Sequence, residues 1–346
     1  MRVMRLRRVM AALAVAVALI PAVAAADPPG ASPPQTVASS PPTTVQSVTV
    51  TPPPPATPPP AAAVHAFVQS HATPTHIGQL PRWSVPVCAK VAGVDPQRAA
   101  AIVARVVDLA KRVGAPAADP AHCHANFAIL VSDDPQAVLD YVKKHQPVLL
   151  GYHYPDQTQR IATVRYPIQA WYVTASGGRG RSVAVTIGGG QAGMGSGFAT
   201  TGGSQPSLGG GAATIDDSCC SVGGGVAGSR LTSQMTSAFA AVVVVVDARV
   251  LANHDEAFVG DYVGVIGLSE ANLSQPCGPL PSVLDAFAAA CADADAVTEA
   301  TANDVAFLKA LYATDPSNPE WMQRSSIADL MHRAATHRQD VSPATR

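Results

Sequence analysis

The sequence predicts an α+β fold, a small mixed sheet with flanking helices, and two observations carry this prediction. Residues 240–246 (AAVVVVV) are small or β-branched, apolar and bounded by polar residues, which is typical of a strand buried on both faces. Strand-like segments gather in the middle of the chain, whereas helical apolar spacing precedes and follows them. We therefore expect a single domain of this class over residues 80–335.

The individual elements follow from end signals and local spacing. Asp95-Pro96 supplies an N-cap residue and an N1 proline for a helix with one apolar face, which ends at Gly114. Asp134-Pro135 begins a second helix. The remaining predictions are strands at 127–131, 168–173 and 182–187, helices at 229–239 and within 256–268, and helical segments around 283–287, 305–312 and 327–331.

Both ends of the chain lie outside the predicted domain. Arginines near the start, an apolar run and a small-residue cleavage site at Ala24-x-Ala26 predict a signal peptide at 1–26, with an uncleaved membrane anchor as the alternative. Residues 27–79 are rich in Pro, Ala and Thr and predict a disordered spacer, and residues 336–346 predict a flexible tail. The expected location is periplasmic or secreted, with membrane contact only through an uncleaved signal.

All six cysteines follow the predicted cleavage site. An even number of cysteines in an exported protein indicates disulfides. We expect Cys88 to pair with Cys123 and Cys277 with Cys291, because each pair brackets a predicted helix or its entry. No C-x-x-C pair occurs, so a metal site built from these cysteines is less strongly indicated.

Residues 188–228 differ in composition from the rest of the predicted domain. They are crowded with Gly, Ser and Thr and contain few large apolar side chains, so we predict a long insertion loop between two core strands. The loop contains the adjacent cysteines Cys219 and Cys220. These either bond to each other or pair elsewhere.

The charge balance and the motifs exclude several classes of function. The chain has 23 basic and 24 acidic residues and a formal net charge of −1, which leaves no basic footprint for nucleic acid. It contains no G-x-S-x-G motif, so a serine hydrolase is not indicated. We expect no cofactor and no nucleic-acid partner. The expected partner is an unidentified protein or envelope component.

Three segments of the C-terminal half carry a resemblance to a known family. They are DYVGVIGL at 261–268, PSVLDAF at 281–287 and TANDVAFLKALY at 301–312. In these segments the chain is similar to a poorly characterised proteobacterial family of exported proteins with a zincin-like core. The resemblance implies a peptidase fold that has decayed or has been re-purposed.

The zinc-binding helix motif is missing from the corresponding helix. A zincin carries H-E-x-x-H, in which two imidazoles bind zinc and the glutamate acts as general base. At these positions the chain has Gly260, Asp261 and Gly264, so we predict no catalytic residue. Either the glycines allow close helix packing, or they mark an altered site whose cleft Asp261 and Tyr262 would line.

Three histidines are the remaining candidates for a metal site. His122, His124 and His254 would have to converge on one ion, and nothing in their spacing requires this. The competing interpretation places His122 and His124 on the surface beside a disulfide cysteine. In that interpretation, the segment His254-Asp255-Glu256 caps the helix that follows.

The sequence therefore predicts an exported, non-catalytic protein of unknown specific role, related to binding or to the cell envelope, on a degenerate peptidase-like scaffold. The alternative is a zinc-dependent hydrolase with non-standard ligands. A third possibility is a structural domain whose role resides in the spacer or the glycine-rich loop.

Overall fold

The structure is a computed structural model that describes most of the predicted domain. The described residues are 58–151, 157, 160–178, 185–186, 199–200, 235–274, 277–288, 291 and 297–340. The predicted signal peptide at 1–26, the predicted spacer at 27–57 and most of the predicted loop at 188–228, with Cys219 and Cys220, lie outside the described residues. No helix in the described part of the chain is both long and apolar enough to cross a membrane.

A four-stranded mixed sheet forms the centre of the domain. The strands are β1 (Ala89–Ala92), β2 (Phe127–Ser132), β3 (Ile168–Gly178), β4 (Val185–Thr186), β5 (Ala199–Thr200) and β6 (Met235–Asp247). The sheet has the order β1-β2-β6-β3, while β4 and β5 form a separate antiparallel pair. Strands β1, β2 and β6 are parallel, and β3 is antiparallel to β6.

Helices flank this sheet. They are α1 (Ala61–His71), α2 (Pro96–Val113), α3 (Pro135–His145), α4 (Ala248–Asn253), α5 (Glu256–Leu268), α6 (Ala302–Ala313) and α7 (Glu320–Asp340). Two 3-10 turns span Pro147–Leu150 and Val283–Phe287. The arrangement confirms the predicted α+β class with a small mixed sheet and flanking helices.

Both faces of the central strand are buried, as the valine run predicts. Val242, Val244 and Val246 belong to the larger core, which also contains the apolar residues of α1, α2, α5, α6 and α7. Val243 and Val245 point to the opposite face and belong to a smaller cluster with α3. Alternate side chains of β6 therefore pack into two different cores, so every position in this part of the strand needs an apolar residue.

The folded part begins earlier than predicted. The spacer was expected to extend to residue 79 and the domain to begin at 80, but α1 lies within that range. Val64, Phe67 and Val68 of α1 are at most 1% exposed. Their i, i+3, i+4 spacing gives the helix one apolar face, and this short signal lies directly after a proline-rich stretch. The spacer prediction is therefore corrected for residues 61–79.

Two further predictions are corrected. The expected helix at 229–239 is contradicted at Met235–Phe239, because these residues are the first part of β6 and pair with the end of β3. Pairing with a strand about sixty residues away in sequence makes this segment a strand, and the local spacing of apolar residues cannot reveal that pairing. The expected tail at 336–346 is helical as far as Asp340, where α7 ends.

The two predicted disulfides are both present. Cys88–Cys123 joins residues 35 apart in sequence, and Cys277–Cys291 joins residues 14 apart. The first fixes the entry of β1 to the loop before β2, and the second closes a loop around the 3-10 turn at Val283–Phe287. Disulfides of this kind are consistent with export to an oxidising compartment.

Two buried arginines hold the C-terminal ends of helices. Arg82 donates to the carbonyl of Leu311 and, at 2.5 Å, to that of Thr314 at the end of α6. Arg324 of α7 donates to the carbonyl of Ala72 at 2.7 Å and to carbonyls in the last turn of α1. Burial lowers the pKa of Arg82 to about 10. Both cations lie where the helix dipole favours positive charge.

The N-cap of α2 gives a first testable prediction. The carboxylate of Asp95 accepts hydrogen bonds from the backbone N–H groups of Gln97 (3.1 Å) and Arg98 (3.0 Å). We expect Asp95→Ala to lower the free energy of unfolding by about 1 kcal/mol, measured by denaturant titration. Asp95→Ser keeps an oxygen acceptor and is the matched control. Equal losses in both variants would contradict the capping role.

Candidate functional site

Helix α5 is the element to which the sequence analysis assigns the possible site. Its N-cap residue Asp255 accepts a hydrogen bond from the N–H of Phe258 at 2.8 Å, so the predicted capping of this helix is confirmed. Every residue from Phe258 to Leu268 is buried. A helical segment that is enclosed on all sides and is apolar except at Asp261 is typical of a protein core.

Two glycines of α5 lie directly against α2. A Cβ atom on Gly260 would lie 2.6 Å from Cβ of Arg105, and one on Gly264 would lie 2.8 Å from Cδ2 of Leu109. Both distances are shorter than the contacts that real Cβ atoms make. The predicted close packing at these two positions is confirmed. A side chain at position 260 would collide with the Cβ of Arg105, and one at position 264 would require the side chain of Leu109 to move.

Asp261 lies between these glycines and is 0% exposed. Arg105 donates from Nε to Oδ1 and from Nη2 to Oδ2, each at 2.7 Å, so the pair is bidentate. The backbone N–H of Ala300 donates to Oδ2 at 2.8 Å. The hydrogen bond with Asp261 raises the pKa of Arg105, although its partial burial opposes this. The carboxylate thus joins α2, α5 and the segment before α6.

Arg105 belongs to a stripe of three arginines along α2. Arg98, Arg105 and Arg112 are seven residues apart, which places them on one face of the helix two turns from one another. Arg98 pairs with Glu256 at the start of α5 and lowers the pKa of that carboxyl by hydrogen bonding. Arg112 pairs with Asp108 at 2.9 Å. Arg98 and Arg105 therefore meet acidic residues of α5, whereas Arg112 pairs mainly within α2.

An open groove lies beside this stripe, between α2 and the start of α5. It encloses about 460 Å³. Its lining residues are Ala101, Ala104, Arg105, Asp108, Asp255, Glu256 and Ala257. Three of these residues are alanines, three are acidic and one is an arginine. Arg105 is shared, since its guanidinium lines the groove while it pairs with the buried Asp261.

The residues predicted to line a cleft are both enclosed in the structure. Tyr262 is 2% exposed, and burial raises the pKa of its hydroxyl. Its ring contacts those of Phe258 and Phe287, with centroids 6.2 Å and 5.0 Å away. The carboxylate of Asp261 contacts Arg105 of α2. The groove is therefore lined by the partner of Asp261 and by neither of the two predicted residues.

The three candidate metal ligands have different surroundings. His122 is highly exposed and its Nδ1 lies 2.7 Å from a carboxylate oxygen of Asp119. His124 is also exposed. His254 stacks on Phe258, with ring centroids 4.3 Å apart. Among the described residues, no group of three or more His, Cys, Asp or Glu side chains is placed to hold a metal ion.

The sequence analysis did not identify Arg105 as the partner of Asp261. A buried aspartate on an apolar helix requires a cationic or hydrogen-bonding partner, so Asp261 signalled that such a group had to exist. The seven-residue spacing of the arginines on α2 was a second signal, since it marks one face of that helix as basic. Neither signal identifies which arginine meets the aspartate.

Neither a protein family, nor a curated protein sequence, nor a solved structure was found to match this chain. The functional conclusion therefore rests on the geometry described above.

Proposed function

We propose that this chain is an exported, non-catalytic protein with a binding or cell-envelope role, built on a degenerate zincin-like scaffold. The observation that carries the proposal is the enclosure of α5, the helix at which the resemblance would place a zinc site. Residues Phe258–Leu268 are buried, and the one carboxylate among them is occupied by Arg105 and by the N–H of Ala300. A working zinc site needs an open coordination position, which this helix does not offer.

The glycines support the same conclusion. In the resemblance, Gly260 and Gly264 occupy the positions of the two zinc-binding imidazoles. A side chain at either position would collide with Arg105 or Leu109 of α2. The space that ligands would need is filled by a neighbouring helix, so the scaffold supports packing at this point rather than metal chemistry.

Within this proposal, the groove between α2 and α5 is the surface that a partner contacts. It is open, it lies beside α5, and its lining residues include Asp108, Asp255, Glu256 and Arg105. The carboxylates of Asp108 and Glu256 are paired with Arg112 and Arg98, so both signs of charge are present around the groove. Such mixed charge suits a polar partner segment of an envelope protein that carries both acidic and basic groups.

The alternative function is a zinc-dependent hydrolase with His122, His124 and His254 as ligands. Metal analysis of the mature protein, produced by export to an oxidising compartment without chelators, distinguishes the two. We expect far less than one zinc per folded, disulfide-bonded chain. We also expect the variant with all three histidines changed to alanine to give the same low value. One zinc per chain, lost in that variant, would overturn the proposal in favour of the hydrolase.

A further inference from the structure

Helix α1 is attached to the rest of the domain through a buried histidine. His71 is 4% exposed, and its ring stacks on that of Phe67 with centroids 3.8 Å apart. Nδ1 lies 2.9 Å from the carbonyl oxygen of Phe67. Nδ1 also lies 3.0 Å from Oγ of Ser70. Because a carbonyl oxygen only accepts, Nδ1 donates to Phe67, and both the neutral and the protonated ring can make this hydrogen bond. The burial of the ring therefore decides which of the two forms is favoured.

The surroundings of His71 come from several elements. The ring centroid of Phe307 in α6 lies 6.4 Å from that of His71. A Cβ atom on Gly278 in the Cys277–Cys291 loop would lie 3.4 Å from Cε1 of the imidazole. At the end of α1, the guanidinium of Arg324 holds the carbonyl of Ala72. The imidazole thus lies at the junction of α1, α6, α7 and the disulfide loop.

We propose that α1 is an acid-released clasp, in which protonation of His71 detaches α1 from α6, α7 and the Cys277–Cys291 loop. A charged imidazole at this junction is deprived of water, because the ring is 4% exposed and lies among the aromatic rings of Phe67 and Phe307, and this burial disfavours the protonated form. Release of α1 restores water to the imidazole and uncovers the apolar faces of both α1 and α6. The clasp goes beyond the proposed binding role and does not depend on it.

The direction of the pH effect follows from the titratable groups around the imidazole. Burial lowers the pKa of His71 below its ordinary value of 6.5, while Asp304, the hydrogen bond to the carbonyl of Phe67 and Asp285 act in the opposite direction. A lowered folded-state pKa means that the attachment is stabilised above pH 6.5 and loses this stabilisation as the pH falls toward the folded-state pKa. Acid therefore favours the released state.

Two buried carboxyls near His71 have the opposite effect on the pH dependence of stability. Burial raises the pKa of Asp304, although hydrogen bonds from Ser282, Val283 and Thr301 oppose this. Burial also raises the pKa of Glu270 to about 7, and the carbonyl of Glu270 accepts from the N–H of Thr73 just after α1. A raised pKa removes stability as the pH rises. A test of the clasp must therefore compare variants that share both carboxyls.

Hydrogen exchange at about pH 7.5 and about pH 5, corrected for intrinsic exchange rates, tests the clasp. The proteins are the unsubstituted chain, His71→Phe, which keeps a ring against Phe67, and His65→Gln. His65 is exposed on the same helix and is the matched control. The amides of α2 serve as the reference for global unfolding.

We expect a change from the higher to the lower pH to reduce the protection of α1, relative to that of α2, more in the unsubstituted chain and in His65→Gln than in His71→Phe. All three proteins share the carboxyls of Asp304 and Glu270, so this difference reports the imidazole of His71. It approaches about tenfold for each pH unit by which the test pH lies below 6.5 while still above the lowered pKa of His71. Equal acid dependence in His71→Phe and the unsubstituted chain would overturn the proposal, as would a loss that α2 shares. If His71→Phe does not fold, His71→Gln provides the same comparison.

Discussion

Arg105→Ala is expected to lower the free energy of unfolding by about 3–5 kcal/mol, because it leaves a buried carboxylate without its ion-pair partner. Asp261 is 0% exposed and would lose the guanidinium that now holds both of its carboxylate oxygens at 2.7 Å. The N–H of Ala300 would remain as a hydrogen-bond donor. Denaturant unfolding followed by circular dichroism measures the loss.

The neighbouring arginine on the same face of α2 is the matched control. Arg112 lies 3.9 Å from Asp261 and pairs mainly with Asp108 on the surface. We expect Arg112→Ala to cost at most about 1 kcal/mol. The double variant Arg105→Ala with Asp261→Asn should recover part of the stability lost in Arg105→Ala, because the buried side chain at position 261 is then uncharged. Similar losses for the two arginines would contradict the structural role assigned to the Asp261 pair.

Gly267→Ala is expected to destabilise the protein by about 1–3 kcal/mol, because it overpacks the contact between α5 and the sheet. A Cβ atom on Gly267 would lie 2.0 Å from Cζ of Phe127, whose side chain is itself 0% exposed. A loss of stability would distinguish overpacking from helix propensity, because replacing glycine with alanine stabilises an unconstrained helix by up to about 1 kcal/mol. Thermal and denaturant unfolding both report the change.

Two further variants separate overpacking from a general effect of replacing glycine. Gly278→Ala introduces only ordinary contacts, the nearest at 3.4 Å, and should be close to neutral. Phe127→Leu removes the ring atom nearest to the new methyl group, so it should cost less in the Gly267→Ala background than alone. A neutral or stabilising Gly267→Ala would show that α5 is not held against β2 as described.

Much of the fold could be predicted where local signals are complete. Helix α2 has an N-cap aspartate, an N1 proline and a terminal glycine, Gly114, whose φ of 80° favours that residue type. The valine run of β6 is apolar at every position because two cores meet it. In contrast, Met235–Phe239 became strand through pairing with β3, a contact that no local pattern encodes.

The candidate site was predictable only in part, for a similar reason. The glycine spacing of α5 predicted close packing, and Gly260 and Gly264 do contact α2. The partner of Asp261 is 156 residues away in sequence, so the sequence indicated that a buried charge existed and left its partner open. The enclosure of Asp261 and Tyr262 likewise depends on the fold as a whole.

The central claim is that α5 forms part of the packed core and is not a site that opens to ligands. Native-state hydrogen exchange of residues Phe258–Leu268 tests it most directly. We expect the slowest amides of this helix to exchange only through global unfolding, with a free energy equal to that from denaturant titration. Exchange through a local opening several kcal/mol below the global value, while β6 stays protected, would contradict the claim.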